Sequence, residues 1–237
     1  MDEPALQVAQ LRAGYGSMSV LRGVSLSVHP GQVLLVLGRN GSGRSTLLKA
    51  LVGLIPSEGS IRLLGQPCEQ WPTHRRVRQG LGYVPETRDV FPGLTVEQNL
   101  NLGRWQGGLR VGSSFPRTQG LEASDILQQR LQVPAGQLSG GEQQLLSLAR
   151  TLAAQPRVVL ADEPTEGLAP TRVGQVAEQV QATARSGTAW VLVEQKLQWA
   201  LPLAHRVVVL GRGEVVFEGS PDQLQSSSTL WRQWIWG

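Results

Sequence analysis

Nine residues, Gly38-Arg39-Asn40-Gly41-Ser42-Gly43-Arg44-Ser45-Thr46, have the types and spacing to hold a chain of phosphates. Three glycines let the backbone curl without Cβ clashes, so that successive N–H groups turn inward, and a helix starting behind them adds a favourable dipole. Ser45 is then placed to put its hydroxyl on Mg²⁺. The pattern G-x-x-x-x-G-K-[ST] wants lysine where this chain has Arg44, so the strict match fails at its most chemical position. Read alone, the stretch is equally an ordinary Gly-rich turn between strand and helix. Two further stretches bear on the choice. Ser139 caps an apolar-striped helix, and Gly140 and Gly141 leave its first amides open to an anion. Asp162 and Glu163 follow the apolar run Val158–Ala161, at the strand end where open α/β sheets bind ligands. Asp162 suits Mg²⁺, and Glu163, on the other side of the pleat, suits orienting and deprotonating an attacking water. Tyr15, between Gly14 and Gly16, offers a flat ring for stacking on a base, or for simple packing beside a hairpin.

The elements that must position these residues are legible as periodicity. Leu6 to Val28, punctuated by glycine and closed by Pro30-Gly31, reads as antiparallel strands. Gln32 to Leu37 is a buried strand leading into the phosphate loop, and Leu47 to Leu51 the helix leaving it. Ile55-Pro56 and Glu58-Gly59 read as a turn, Ser60 to Leu64 as a strand, and Leu81 to Val84 as a short strand halted by Pro85, with Glu86 just beyond. Thr95 and Gln98 have capping-box spacing for a helix through Leu102. From Gly103 to Gly120 periodicity fades into a surface loop, before Leu121, Ile126, Leu127 and Leu131 mark a helix face ending ahead of Pro134. Helix and strand alternate thereafter: 171–185, 188–193, a helix from Lys196, 206–210, a hairpin to Phe217 and a helix opened by Ser220-Pro221. Trp231, Trp234 and Trp236 then cover a core edge.

Composition narrows the classes. With 237 residues, 41% of them apolar, the chain can build one large α/β core or two small domains. The apolar runs around Leu34, Val158 and Val207 fall far short of the roughly 20 residues of a membrane span, and the acidic start is no signal peptide. A cytosolic chain is expected. Cys68, the only cysteine, excludes an internal disulfide and a cysteine-based zinc site, and reads as an incidental loop residue. The net charge of +4 is spread along the chain, which argues against nucleic acid. Only Arg75, Arg76 and Arg78 cluster, as the solvated face of a short helix.

With Gly38–Thr46, Leu138-Ser-Gly-Gly-Glu142 and Val158–Pro164 in this order, the chain resembles the ATP-binding subunit of ABC transporters over its whole length. The resemblance implies an α/β fold, a P-loop NTPase core of ABC type with an antiparallel β subdomain and a helical subdomain. It implies one nucleotide-binding domain over 1–237, with its core in 1–86 and 156–237 and its helical part in about 87–155. ATP and Mg²⁺ are the implied cofactors. Tyr15 then matches the aromatic that stacks on adenine, and Gly38, Arg39, Asn40, Gly41, Ser42, Gly43, Arg44, Ser45 and Thr46 the phosphate loop. Ser139, Gly140 and Gly141 match the signature that completes a second subunit's site, while Asp162 and Glu163 match the Mg²⁺ carboxylate and the catalytic base. Glu86 stands where most such subunits carry the Q-loop glutamine, a metal and catalytic position, and Gln195 where most carry the switch histidine.

Finer strings, Tyr83-Val-Pro-Glu86, Phe91-Pro-Gly-Leu-Thr95, Glu166-Gly-Leu-Ala-Pro170 and Val193-Glu-Gln-Lys196, are similar to the smaller ATP-binding protein of branched-chain amino acid importers, with urea and amide importers as near relatives. The partners this implies are a second ATP-binding subunit, two membrane permease subunits and, indirectly, a periplasmic substrate-binding protein, with no nucleic acid. The place it implies is peripheral, on the cytoplasmic face of the inner membrane. A soluble ATPase acting on nucleic acid or ribosomes is the competing reading, disfavoured because no second cassette or long coiled-coil insertion is present. A nucleotide-binding but weakly catalytic partner in an asymmetric heterodimer is the other, kept alive by Arg44.

Overall fold

Val33–Leu37 is buried at every position, which requires neighbours on both edges and cover on both faces. A computed structural model, which describes residues 3–106 and 125–235, provides both. In chain order the elements are β1 (Leu6–Tyr15), β2 (Met18–Val28), β3 (Val33–Leu37), α1 (Arg44–Val52), β4 (Ser57–Leu63), β5 (Gln66–Pro67), α2 (Thr73–Arg78) and β6 (Leu81–Val84). They continue with α3 (Val96–Gln106), α4 (Asp125–Gln129), α5 (Gly140–Ala153), β7 (Val158–Asp162), α6 (Pro170–Arg185), β8 (Ala189–Val193), α7 (Leu197–Ala200), β9 (Arg206–Gly211), β10 (Glu214–Gly219) and α8 (Pro221–Gln225).

Two sheets result, of order β2-β1-β4-β5 and β10-β9-β3-β8-β7-β6. In the larger sheet β3 runs parallel to β8 and β9, and β6, β7 and β8 run parallel to one another. Because successive side chains of a strand point to opposite faces, β3 divides its residues between two cores. Val33, Leu35 and Leu37 join α5 and α6 on one side. Leu34 and Val36 join α1 and the antiparallel sheet on the other. The parallel strands therefore end together on one edge, with a layer on each side, and the loops at that edge carry the chemistry-bearing residues.

Several sequence expectations are corrected. Glu58 and Gly59 lie inside β4 rather than in a turn. Gly59 has φ +111, and a Cβ there would sit 2.6 Å from the Gln10 carbonyl oxygen, beside a register shift in β1 between Ala9 and Arg12. The glycine marks a bulge, which punctuation alone does not distinguish from a turn. Helix α3 runs on to Gln106, whereas α4 stops at Gln129 and leaves Leu131 outside it. Leu121, most of the Gly103–Gly120 loop and Trp236 lie outside the described residues.

Arg76 is buried, not solvated: its guanidinium donates to the carbonyls of Ala50 (2.9 Å), Leu51 (2.7 Å), Trp71 (3.1 Å) and Glu69 (2.9 Å). It supplies a donor to the Leu51 carbonyl at the end of α1 and a second donor to that of Ala50, which also accepts from the Gly53 N–H at 3.1 Å. Arg75 lies instead over the Trp71 ring. Cys68 is buried too, its N–H bonded to the Ile61 carbonyl, and burial pushes its thiol up from its ordinary range.

Candidate functional site

The phosphate loop begins where β3 ends. A Cβ at Gly38 would fall 2.4 Å from the Leu210 carbonyl oxygen on β9, and at Gly43, with φ +105, 2.8 Å from Leu21. Only glycine lets this loop pass so close to its walls. Gly43 is the N-cap of α1, and no side chain caps that helix nor does an acidic residue occupy its first turn. Its leading N–H groups thus remain available to an anion. Beside them opens a cavity of about 420 Å³ lined by Gly38, Arg39, Asn40, Arg44 and Gln195 among others.

Two carboxylates reach the same place from β7. Asp162, only 1% exposed, has Oδ1 buried without a hydrogen-bond partner. Burial pushes its carboxyl up to about 6, opposed by a hydrogen bond with the Ser45 side chain and reinforced by the charges of Glu86 and Glu163. Glu163 does not continue the pleat, as its sequence position implied. It takes φ +48, a left-handed conformation uncommon for a non-glycine residue, while its N–H still bonds the Val193 carbonyl at 2.9 Å. That turn carries its side chain back to the loop.

There Glu163 Oε1 accepts from Gln195 Nε2 at 2.6 Å and from Arg44 Nη2 at 3.3 Å. Asn40 Oδ1 accepts from the same two groups, at 3.3 and 3.2 Å. Asn40, Arg44, Glu163 and Gln195 therefore form one connected cluster. Arg44 is 7% exposed, and its second terminal nitrogen, Nη1, is buried without a partner. Ser42 Oγ is likewise buried and unpartnered.

The remaining sequence-predicted residues lie outside this cluster. Tyr15, 46% exposed, closes the β1–β2 hairpin opposite Met18. Thr46 is buried in the first turn of α1. Glu86 is exposed just past β6, and its charge is felt at Asp162. Ser139, Gly140 and Gly141 begin α5 elsewhere, held by a reciprocal cap in which the Ser139 N–H donates to Glu142 Oε2 at 2.7 Å and the Glu142 N–H to Ser139 Oγ at 3.4 Å. Their neighbours are Arg88, Gly167 and Leu168.

These features fit ATP with Mg²⁺. An uncapped helix start, a loop only glycine can form and an unpartnered guanidinium nitrogen suit a polyphosphate. Among the described residues no group of three His, Cys, Asp or Glu side chains could hold a metal. The Ser45 hydroxyl and the orphaned Asp162 oxygen leave most of a Mg²⁺ shell to phosphate and water, the mode this ion prefers.

Two features escaped the sequence reading. The Arg232 carbonyl accepts from Arg39 Nη2 at 3.0 Å, so the C-terminal turn rests on the phosphate loop. Glu194, between β8 and Gln195, is buried and hydrogen-bonded on both oxygens. A carboxylate directly after an all-apolar strand was the available signal for the second. The first had none.

Comparison with known proteins agrees with this geometry. The profile of the family described as ABC transporter matches residues 21–166. The high-affinity branched-chain amino acid transport ATP-binding protein BraG of Pseudomonas aeruginosa is 38% identical over 203 residues, spanning 85% of this chain and 87% of that protein. Nod factor export ATP-binding protein I of Ralstonia nicotianae is 34% identical over 223 residues, spanning 93% of this chain and 68% of that protein. A solved structure of the ATP binding subunit of an ABC transporter superposes with a TM-score of 0.80 at 25% identity, covering 93% of this chain and 92% of that one.

Proposed function

This chain belongs to the ABC transporter family of ATP-binding subunits, and we propose that it binds and hydrolyses ATP to energise an importer of branched-chain amino acids. The observation that carries the ATPase reading is the meeting of Glu163 with Arg44 and Gln195 at the mouth of the phosphate loop. The N–H groups of the loop and of the start of α1 hold the phosphates, with Arg44 Nη1 the unpartnered cationic donor beside them. Glu163 is the base that orients and deprotonates the attacking water, and Gln195 fixes the oxygen of Glu163 that it touches. Ser45 and Asp162, with Glu86 nearby, would hold Mg²⁺, which when bound neutralises charge building on the transferred phosphoryl group.

The cargo rests on less. It is supported by the likeness to BraG and by the run Val193-Glu-Gln-Lys196, whereas the Nod factor export relative shows that similar chains serve other cargo. Urea or an amide is the alternative cargo. The same reading supplies a second ATP-binding subunit, two permease subunits, a binding protein acting through them and a peripheral place at the inner membrane. No helix among the described residues is long and apolar enough to cross a membrane. It also divides the chain into a core of 1–86 and 156–237 and a helical part of 87–155, and every strand among the described residues falls in the core.

A second reading has one specific observation in its favour. Arg44 Nη2 is engaged by Glu163 rather than free for phosphate, and a planar fork cannot sit as a compact charge between β- and γ-phosphates. On that reading the chain is the slower half of an asymmetric heterodimer. Reconstitution with its membrane subunits decides between them: ATPase activity stimulated by leucine-loaded but not urea-loaded binding protein fits the first cargo. A Glu163→Gln variant that loses all turnover rules out the slow-half reading.

A further inference from the structure

Glu194 is a buried carboxylate to which the site as described gives no work. It is 2% exposed, and burial raises its carboxyl above the ordinary range. A charge kept in such a place needs donors close by. Four are present, and they come from two separate turns of the chain. Oε1 accepts from the Thr165 hydroxyl at 2.5 Å and from the Thr165 N–H at 3.2 Å. Oε2 accepts from the N–H groups of Gln195 at 3.1 Å and Lys196 at 3.2 Å. The link is doubled in the opposite sense, because Lys196 Nζ donates to the Thr165 carbonyl at 3.2 Å. A third tie is the bond from the Glu163 N–H to the Val193 carbonyl.

We infer that Glu194 is a positioning residue for ATP hydrolysis, joining the Glu163–Thr165 turn to the Gln195–Lys196 turn so that Glu163 and Gln195 move as one unit. Each oxygen serves one turn, so this one carboxylate takes two donors from each of them. The bond of 2.6 Å between Gln195 Nε2 and Glu163 Oε1 is the working end of that unit. Without the carboxylate the Lys196 Nζ and Glu163 N–H ties remain but hold the two turns less tightly, so the two side chains arrive together less often. Catalysis is sensitive to such small misplacement, whereas ATP binding through Tyr15 and the phosphate loop is not. The consequence for turnover rests on the ATPase reading above, but the tie itself does not.

The full chain tests this with two substitutions. In E194Q the amide keeps one acceptor oxygen, and its NH₂ group faces either the Gln195 and Lys196 N–H groups or the Thr165 N–H beside a hydroxyl that can turn to accept, so at least one N–H donor loses its acceptor whichever way the amide sits. In E194D both acceptors remain on a stem one methylene shorter. For E194Q we expect kcat to fall about tenfold while KM and Kd for ATP stay within about twofold, with E194D recovering part of the rate. Hydrogen exchange should quicken together in peptides covering 163–168 and 193–197. An equal loss of ATP affinity and turnover, faster exchange in only one of the two peptides, or an unchanged E194Q rate overturns the inference. Should E194Q fail to fold, T165V removes one donor from Oε1 and is judged by the same exchange readout. A wild-type chain that binds no ATP would sink the ATPase reading instead, leaving the exchange result to judge the tie.

Discussion

Arginine spreads one charge over a planar fork, and in Arg44 the two terminal nitrogens have different surroundings. One is bonded to Asn40 and Glu163 and the other is buried without a partner. A lysine ammonium could not reach both a carboxylate and a phosphate in this way. Arg44→Lys should therefore release Glu163 and raise single-turnover hydrolysis in the assembled complex; a slower rate would show that the pairing helps the chemistry. Tyr15 is expected to supply affinity alone, so Tyr15→Ala should weaken ATP binding by ~1–3 kcal/mol, the magnitude of base-on-aromatic stacking. An unchanged dissociation constant by titration calorimetry would exclude that role. Residue types made the phosphate loop and both carboxylates legible, because that chemistry depends on local order along the chain. The contacts of Glu163 were not legible, since a positive φ on a glutamate has no sequence signal and Gln195 lies on a different strand end.

Helix α1 shows how an element can depend on a side chain far from it in sequence. Its N-terminus stays open toward the cavity, while its C-terminal carbonyls are bound by Arg76 from α2. Arg76→Ala would remove the guanidinium donors from the Leu51, Trp71 and Glu69 carbonyls and one of two donors from that of Ala50, and should cost ~2–4 kcal/mol of folding stability, read as a lower urea midpoint. Arg76→Lys should recover little, because an ammonium cannot span the four carbonyls bound by the fork. At Gly59 any side chain meets the backbone of the β1 bulge, so Gly59→Val should destabilise by at least ~2 kcal/mol in the same assay. Strands and helices with clean periodicity, among them β3, β7, α5 and α6, are legible in the order of residues alone. A bulge and a buried arginine are not, because each is decided by a partner strand or helix rather than by its neighbours in sequence.

At the scale of the molecule, the start of α5 stands apart from the cluster around Glu163, with Gly141 against Gly167 and Leu168. If that face completes a second subunit's site, Gly141→Trp should leave ATP binding by the isolated chain within about twofold of wild type and cut turnover of the assembled complex by tenfold or more. Loss of binding in the isolated, folded variant would contradict this division.

Strand β3, which leads into the phosphate loop, lies between β8 and β9, both of which come from the last quarter of the chain. The ribosome therefore makes the nucleotide loop long before either neighbour of its strand exists. Until then the five apolar residues of β3 have two open edges, the condition under which chains mispair. We expect nascent chains arrested before Ala189 to be cut rapidly by protease near Val33–Leu37, and chains extended beyond Gly211 to resist. Equal resistance at both lengths would show that the antiparallel sheet and α1 alone protect the strand, and that the nucleotide loop takes shape before β8 and β9 are made.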